Sequence, residues 1–308
     1  MIALFCNIRG MEKLSRIRLL KEIIGGEHVD IVGLQETIKQ DFASNELQSL
    51  TPGVPFNWKW LPAKGHSGGI LVGVKDDILQ VEEWKEGEFF VEAVIRNRLS
   101  NFRWCLLVVY GPANHDLSLN FLQELSTRCE DRFLPLMMGG DFNLIRSLSD
   151  KSSGIGDRRL IDAFNDFIEG FELRELHRTG GKYTWSNKQL NPVLSNIDRI
   201  LVSTEWEDKF PLCTVTSLTR VGSDHCPLLL NSGEERELRF RQFFFEKQWF
   251  KQEGFIQLIK EKWEAGQARH PDKAYSLDKW HKNLCMLRQF LKGWGANLRG
   301  TIKGERIS

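Results

Sequence analysis

Asn7, Glu36, Tyr110, Asp141, Asn143, Asp198, Asp224 and His225 are the residues of this 308-residue sequence whose types and settings suggest chemistry. Carboxylates, side-chain amides, a phenol and one imidazole form a hard donor set. With no thiolate cluster beside them, they point to Mg²⁺, with Mn²⁺ as the alternative, and to phosphoryl hydrolysis. Each has a plainer explanation alone: a turn residue, a tyrosine at a sheet rim, a histidine hydrogen-bonded in a core. Eight such coincidences carry less weight than one site. The site reading requires that all eight reach one rim of a fold.

The flanking segments predict that rim. The apolar run Phe133–Met138 leads into Gly139-Gly140, where the backbone can turn and present Asp141 and Asn143 together at a strand end. Ile2–Ile8 reads as a buried strand carrying Asn7, and Val29–Leu34 as a second that ends in Gln35-Glu36-Thr37. Between them, Ser15–Ile24 has Ile17, Leu20, Ile23 and Ile24 at helical spacing, with Gly25-Gly26 as the stop. Gly68–Val74, Phe89–Ile95 and Trp104–Tyr110 read as successive strands, the last ending on Tyr110. A looser region with Pro52, Pro55, Trp58, Trp60 and Pro62 precedes them. Helices are predicted over Leu119–Cys129 and Arg158–Phe171, and strand-like pieces over Lys182–Asn187 and Ser195–Val202. Asp198 sits at the start of that last apolar strand, where a charge is unusual. Asp224-His225 stands immediately before Pro227-Leu228-Leu229-Leu230, the strand expected to close the main domain.

Composition adds bounds. The chain is long enough for one large domain or two modest ones. No apolar run approaches the length of a membrane span, and the N-terminus lacks the order of a signal peptide, so an intracellular, soluble chain is expected. Six cysteines without a Cys-x-x-Cys pair read as free thiols, with no zinc site implied. The net charge of +1 hides an asymmetry: residues 233–308 hold 16 Lys+Arg against 10 Asp+Glu, and the rest 26 against 31. An acidic body fits a carboxylate-lined metal pocket. The basic tail fits contact with a polyanion, or simply a solvated helix face. In that tail Phe240–Phe250 is aromatic and basic. Helices are expected over Phe255–Ala265 and Ser276–Leu298, the second with a stripe of Leu277, Trp280, Leu284, Leu287, Leu291 and Trp294. The stripe needs a partner, either the main domain or something outside this chain.

The ordered set Cys6-Asn7-Ile8-Arg9-Gly10, Leu34-Gln35-Glu36-Thr37, Tyr110-Gly111-Pro112, Gly140-Asp141-Phe142-Asn143, Ile197-Asp198-Arg199 and Ser223-Asp224-His225-Cys226-Pro227 resembles the endonuclease/exonuclease/phosphatase superfamily over residues 1–232. That resemblance implies an α/β (α+β) fold, a four-layer αββα sandwich of two mixed sheets with the site at one rim, here followed by a C-terminal helical extension. It further implies that Glu36 holds a single divalent ion with Asn7 beside it, and that Asp141 activates the attacking water. Asn143 and Tyr110 would contact the phosphate. Asp198 would orient His225, which donates to the phosphate oxygen, and Asp224 would help position the metal or that histidine. Arg9 stands where abasic-site nucleases typically carry an acid. It resembles instead the pancreatic-type pattern, in which it would contact a DNA phosphate. Asn196-Ile197-Asp198-Arg199 likewise departs from the Trp-Cys-Asp-Arg usual in inositol polyphosphate phosphatases.

With Gly181-Lys182-Tyr183-Thr184-Trp185-Ser186-Asn187 and the aromatic stretch Phe240–Trp249, the sequence is most similar to the endonuclease domain of plant LINE-type (non-LTR) retrotransposon polyproteins. In those a reverse transcriptase domain follows a basic helical connector, here residues 233–308. The resemblance implies a Mg²⁺-dependent DNA nickase segment without its reverse transcriptase, and a nuclear location only through its presumed substrate. Two alternatives stay open: a relic or co-opted domain that binds nucleic acid through Lys, Arg, Phe and Trp of residues 240–262, and a phosphomonoesterase of the same superfamily.

Overall fold

The computed structural model describes residues 1–65, 67–131, 133–220, 222–233 and 247–267, together with Trp280, Asn283, Leu284, Leu287, Phe290 and Leu291. Two compact units, Met1–Glu234 and Glu235–Ser308, divide the chain.

The first unit runs β1 (Ile2–Asn7), α1 (Leu14–Gly26), β2 (Ile31–Gln35), α2 (Ser44–Leu50), β3 (Phe56–Lys64), β4 (Ser67–Lys75), β5 (Leu79–Glu86), β6 (Phe90–Asn97), β7 (Arg103–Tyr110), α3 (Ser118–Glu130) and β8 (Leu136–Asp141). It continues through α4 (Arg158–Gly170), β9 (Leu173–Glu175), β10 (Arg178–Thr179), β11 (Trp185–Ser186), β12 (Leu194–Ser195), β13 (Asp198–Ser203), α5 (Thr204–Lys209), β14 (Thr214–Ser217) and β15 (Leu228–Asn231). Seven strands form one mixed sheet in the order β10-β14-β15-β1-β2-β4-β3, and six form another in the order β5-β6-β7-β8-β13-β9. β11 and β12 pair as a separate hairpin.

The four layers follow from alternation along the strands. Ala3, Phe5, Ile31 and Val72 of the first sheet pack with Trp104, Leu106, Val108, Met137 and Ile200 of the second in the central core. The alternate residues face outward. Leu4, Val32, Leu34 and Leu71 meet Leu20 and Ile24 of α1 and Leu47 and Leu50 of α2. On the other side Leu107, Val109, Met138 and Leu201 meet Phe121 and Leu125 of α3 and Phe164 and Phe167 of α4. Side chains of this size contribute about 1.5–3 kcal/mol each when fully buried, so both helix layers are fixed firmly. The αββα sandwich expected from the sequence is the observed fold.

The expected elements leave out α2, β5, β9, β10, α5 and β14, and one further region differs from expectation. The looser region around Trp58, Trp60 and Pro62 is the nine-residue strand β3, at the end of the first sheet and paired with β4 from Phe56↔Lys75 to Lys64↔Ser67. An edge strand tolerates Pro62 because one side of its backbone needs no ladder partner.

In the second unit α6 spans Phe255–Gln267, as the spacing predicts. Trp249, Phe255 and Leu291 bury one another, with Ile259, Leu287 and Phe290 against them. Leu287 and Leu291 of the apolar stripe therefore pack on aromatic residues of the tail itself. Leu277 and Trp294, most of the predicted helix Ser276–Leu298, and residues 240–246 lie outside the described residues. No helix among the described residues is long and apolar enough to cross a membrane.

Candidate active site

The inward-facing stripe of several central strands turns polar at its last position. Along β1 the inward residues are Ala3, Phe5 and Asn7; along β7, Leu106, Val108 and Tyr110; along β8, Met137, Gly139 and Asp141. β13 runs the other way, so its inward residues Val202 and Ile200 lead back to Asp198. Ladder register does the rest. Tyr110 pairs with Asp141 across β7 and β8, and Asp141 with Asp198 across β8 and β13. From the first sheet come Asn7, Glu36 just past the end of β2, and His225 just before β15. The site thus closes the core at one rim, with both sheets contributing.

Two glycines allow the close approach of β7 and β8. Gly140 has φ +144°, and a Cβ there would stand 2.2 Å from the Val109 carbonyl oxygen. At Gly111 a Cβ would stand 2.1 Å from the Phe142 oxygen. The Gly140-Asp141-Phe142-Asn143 and Tyr110-Gly111-Pro112 segments therefore interlock, and Asn143 Nδ2 donates to the Gly111 carbonyl at 2.8 Å. Left-handed backbone recurs at the non-glycine residues Arg9 (φ 51°), Glu36 (φ 52°) and Asn143 (φ 52°), all around this rim. Such concentrations of costly backbone conformation mark functional sites.

Asp141 is the hub. Its Oδ2 accepts from Asn7 Nδ2 at 2.9 Å and from Asn143 Nδ2 at 3.4 Å, and its Oδ1 accepts the Asn143 backbone N–H at 2.9 Å. His225 lies between two carboxylates: Nδ1 is 2.9 Å from Asp198 Oδ2, and Nε2 is 3.8 Å from Asp141 Oδ2. Asn7, Asp141, Asp198, Asp224 and His225 are all buried. Burial pushes the Asp141 carboxyl well above the ordinary carboxylate range, with Asp198 adding to the rise while His225, Asn7 and Asn143 oppose it. Burial works against charge on His225 as well, but Asp198 and Asp141 outweigh it and raise the imidazole to about 9. At neutral pH the histidine is a cation donating through Nδ1 to Asp198, with Nε2 turned to the cleft. Burial, then Glu36 and Asp141, push the Tyr110 phenol far upward. It stays neutral.

These groups open into a cleft of about 520 Å³ lined by Asn7, Arg9, Glu36, Tyr110, Asp141, Asn143 and His225 among others. Asp198 and Asp224 stand behind it. Asp224 Oδ2 accepts from Arg9 Nη1 and, at 3.0 Å, from Trp185 Nε1. Burial would raise the Asp224 carboxyl, but His225 and Arg9 hold it below the ordinary range. The structure therefore brings Glu36 and Asn7 to the cleft and gives Asp224 to Arg9 and Trp185.

The sequence reading left out part of the scaffold. Buried Thr184 Oγ1 accepts the backbone N–H groups of Ile197 and Asp198, each at 3.1 Å, while the Thr184 carbonyl accepts from Cys226 N at 2.8 Å. A single threonine thus ties the start of β13 to the segment carrying His225. Trp185, Lys151 and Ser195 line the cleft without having been singled out as site residues. The run Lys182–Asn187 was legible as strand-like, but a tie made through one residue's hydroxyl and carbonyl has no periodicity to betray it.

A profile of the endonuclease/exonuclease/phosphatase family matches residues 4–225. The chain belongs to this family. Members of the endonuclease/exonuclease/phosphatase family are hydrolases of phosphoester bonds and are generally dependent on divalent metals. No curated protein matches the sequence significantly. Among solved structures, the endonuclease domain of TRAS1, a telomere-specific non-LTR retrotransposon, is 19% identical with a TM-score of 0.58, covering 75% of this chain and 96% of that one. An AP endonuclease from Archaeoglobus fulgidus is 15% identical with a TM-score of 0.60, covering 75% and 98%. The human nocturnin catalytic domain is 15% identical with a TM-score of 0.55, covering 75% and 92%. At these identities the likeness is one of fold.

The donor set fits a hard divalent cation. Glu36 is a partly exposed carboxylate on the cleft wall and Asn7 lines the same cleft, its Oδ1 accepting the Arg9 backbone N–H at 3.1 Å, and Mg²⁺ commonly takes one or two protein oxygens and keeps several waters. Asp141, Asp198 and His225 also bring ligand atoms within 4.8 Å of one another. A cation that took His225 as a ligand would occupy a nitrogen that otherwise donates to Asp198 or into the cleft. Glu36 costs no such loss.

Proposed function

We propose that the chain is a Mg²⁺-dependent endonuclease that hydrolyses DNA phosphodiester bonds, of the kind with which non-LTR retrotransposons nick their targets. The observation that carries this reading is the Asp198–His225–Asp141 row, opening through Nε2 and Oδ2 onto a cleft lined by amides and a neutral phenol. Asp141 accepts the proton of the attacking water, a task suited to a buried carboxylate whose proton affinity is raised. His225 donates from Nε2 to the phosphate oxygen as negative charge develops, and Asp198 keeps it protonated and aimed. Asn143 and Tyr110 hydrogen-bond the phosphate, and Arg9, half exposed beside Asp224, contacts a neighbouring one. Glu36 and Asn7 hold the divalent ion, which supplies charge stabilisation at the phosphate when bound. The basic segment from residue 233 is read as the connector towards a reverse transcriptase domain of a longer polyprotein, and the cell nucleus as the place of action.

Supercoiled plasmid should be converted to nicked circles with Mg²⁺ present, and not after chelation or with Asp141→Ala or His225→Ala. Folded wild-type protein that leaves several plasmids intact would refute the nuclease reading. Cleavage of small phosphate monoesters in its place would move the activity to the phosphatase side of the family.

A further inference from the structure

Arg199 follows Asp198 on β13 and so lies on the opposite face of the strand. It is only 3% exposed. Its Nη2 donates to Asp150 Oδ2 at 2.7 Å and to the Asn196 carbonyl at 3.0 Å, and its Nη1 donates to Glu175 Oε1. The Asp150 carboxylate is itself an organiser: Oδ2 accepts the backbone N–H groups of Arg146 at 2.9 Å and Ser147 at 3.2 Å, and Oδ1 accepts Asn196 Nδ2 at 3.3 Å. Arg146 braces the same loop from outside, reaching Asn165 Oδ1 at 2.9 Å and Glu175 Oε2 at 3.1 Å. Asn196 N donates to the Asp150 carbonyl at 2.8 Å, and Lys151 bridges to Ser195. The loop of residues 146–151 is thereby fastened to the strand that carries Asp198.

A buried guanidinium is a poor way to gain stability, because its desolvation consumes most of what its ion pairs return. Apolar replacements of such networks are often neutral or stabilising. What the network does provide is placement. Leu144, Ile145 and Lys151, on or beside the fastened loop, line the cleft together with Ser195 and Ile197. Lys151 enters none of the ion pairs among the described residues. A lysine fixed by its backbone on the wall of a phosphodiester cleft has the charge and reach for a second phosphate.

We infer that Arg199 and Asp150 are positioning residues that set Lys151 to contact a backbone phosphate flanking the one that is cut. The inference rests on the reading of DNA as substrate. It predicts that Lys151→Ala weakens binding of a fluorescent duplex oligonucleotide about tenfold and lowers the slope of log affinity against log salt by about one. In plasmid nicking KM rises to match, with kcat within about twofold. Arg199→Met and Asp150→Asn reproduce the loss, Arg199→Lys restores part of it, and the double variant Arg199→Met/Lys151→Ala binds no more weakly than either single one. A purely structural role would instead lower Tm and kcat, leave the salt slope unchanged, and combine multiplicatively with Lys151→Ala.

Either of two results overturns the inference: wild-type duplex affinity in a folded Arg199→Met or Asp150→Asn variant, or an unchanged salt slope in Lys151→Ala. Should Arg199→Met not fold, Asp150→Asn and Arg199→Lys carry the same comparison. The binding assay separates the two readings. Wild-type protein that binds duplex without nicking it refutes the nuclease and leaves the affinities to decide on Arg199. Wild-type protein that binds no duplex refutes both.

Discussion

The two sheets deliver their halves of the site by different means. The second sheet brings Tyr110, Asp141 and Asp198 side by side through ladder register on β7, β8 and β13. From the first sheet Asn7 comes as the last residue of β1, but Arg9, Glu36 and His225 stand beyond the strands, the first two in left-handed backbone. A register cannot shift by one residue without turning every side chain to the other face, whereas a strand-end turn changes locally. The half fixed by register should therefore couple activity to stability. The half carried on turns should let them be altered separately.

The strongest test of the register half is Asp198→Asn. An amide in its place keeps the size but removes the larger of the two charges that together outweigh burial of the imidazole, so His225 holds its proton less firmly and loses its aim. A positioned acid contributes about 10²–10⁴-fold to rate, and plasmid nicking should fall by that order. Activity within threefold of wild type would remove His225 from the mechanism.

Protonation of His225 should also register in the fold. Its folded pKa is raised from 6.5 to about 9, so its contribution is complete below pH 6.5 and disappears as pH rises through 9. A shift of that size corresponds to something on the order of 3 kcal/mol. Denaturation of the metal-free protein should show stability declining across that window, and a His225→Gln variant should lose the decline. A flat profile in the wild type would mean that the imidazole is neutral between its carboxylates. Gly140→Ala follows in size. With φ +144° and a carbonyl oxygen 2.2 Å from the added methyl, β7 and β8 must part, at an expected cost of about 2–3 kcal/mol in chemical denaturation together with lost nicking.

The sequence exposed these features unevenly. Strand-end acids were legible because an apolar run that stops at a carboxylate leaves a period-two pattern broken at a known place, as at Asp141 and Asp198. The alternating Phe56, Trp58 and Trp60 carried the same period-two signal for β3, but three nearby prolines masked it. Long-range polar ties were not legible. Nothing in the spacing of Thr184, or of Asp150 and Arg199, says that a hydroxyl or an ion pair joins segments so distant in the chain. The apolar stripe announced a need for burial without naming a partner, and Trp249 and Phe255 supply one for Leu287 and Leu291.

Glu36→Gln tests the turn half, with the smallest expected effect. Glu36 sits just past β2 at φ 52°, partly exposed, near enough to the Tyr110 phenol to help keep it neutral. Glutamine keeps the size of the side chain and needs no new backbone shape, so stability should remain within about 0.5 kcal/mol of wild type. What disappears is the negative charge facing the cleft. A hard divalent ion held by few protein oxygens depends strongly on each charged one, so the Mg²⁺ concentration for half-maximal nicking should rise about 10- to 100-fold. At saturating Mg²⁺ much of the activity should return, because the Asp141–His225–Asp198 row is untouched. If Glu36→Gln unfolds the protein, or abolishes nicking beyond rescue by metal, the turn-borne half is as tightly bound to the fold as the register-borne half, and the proposed division of labour between the sheets fails.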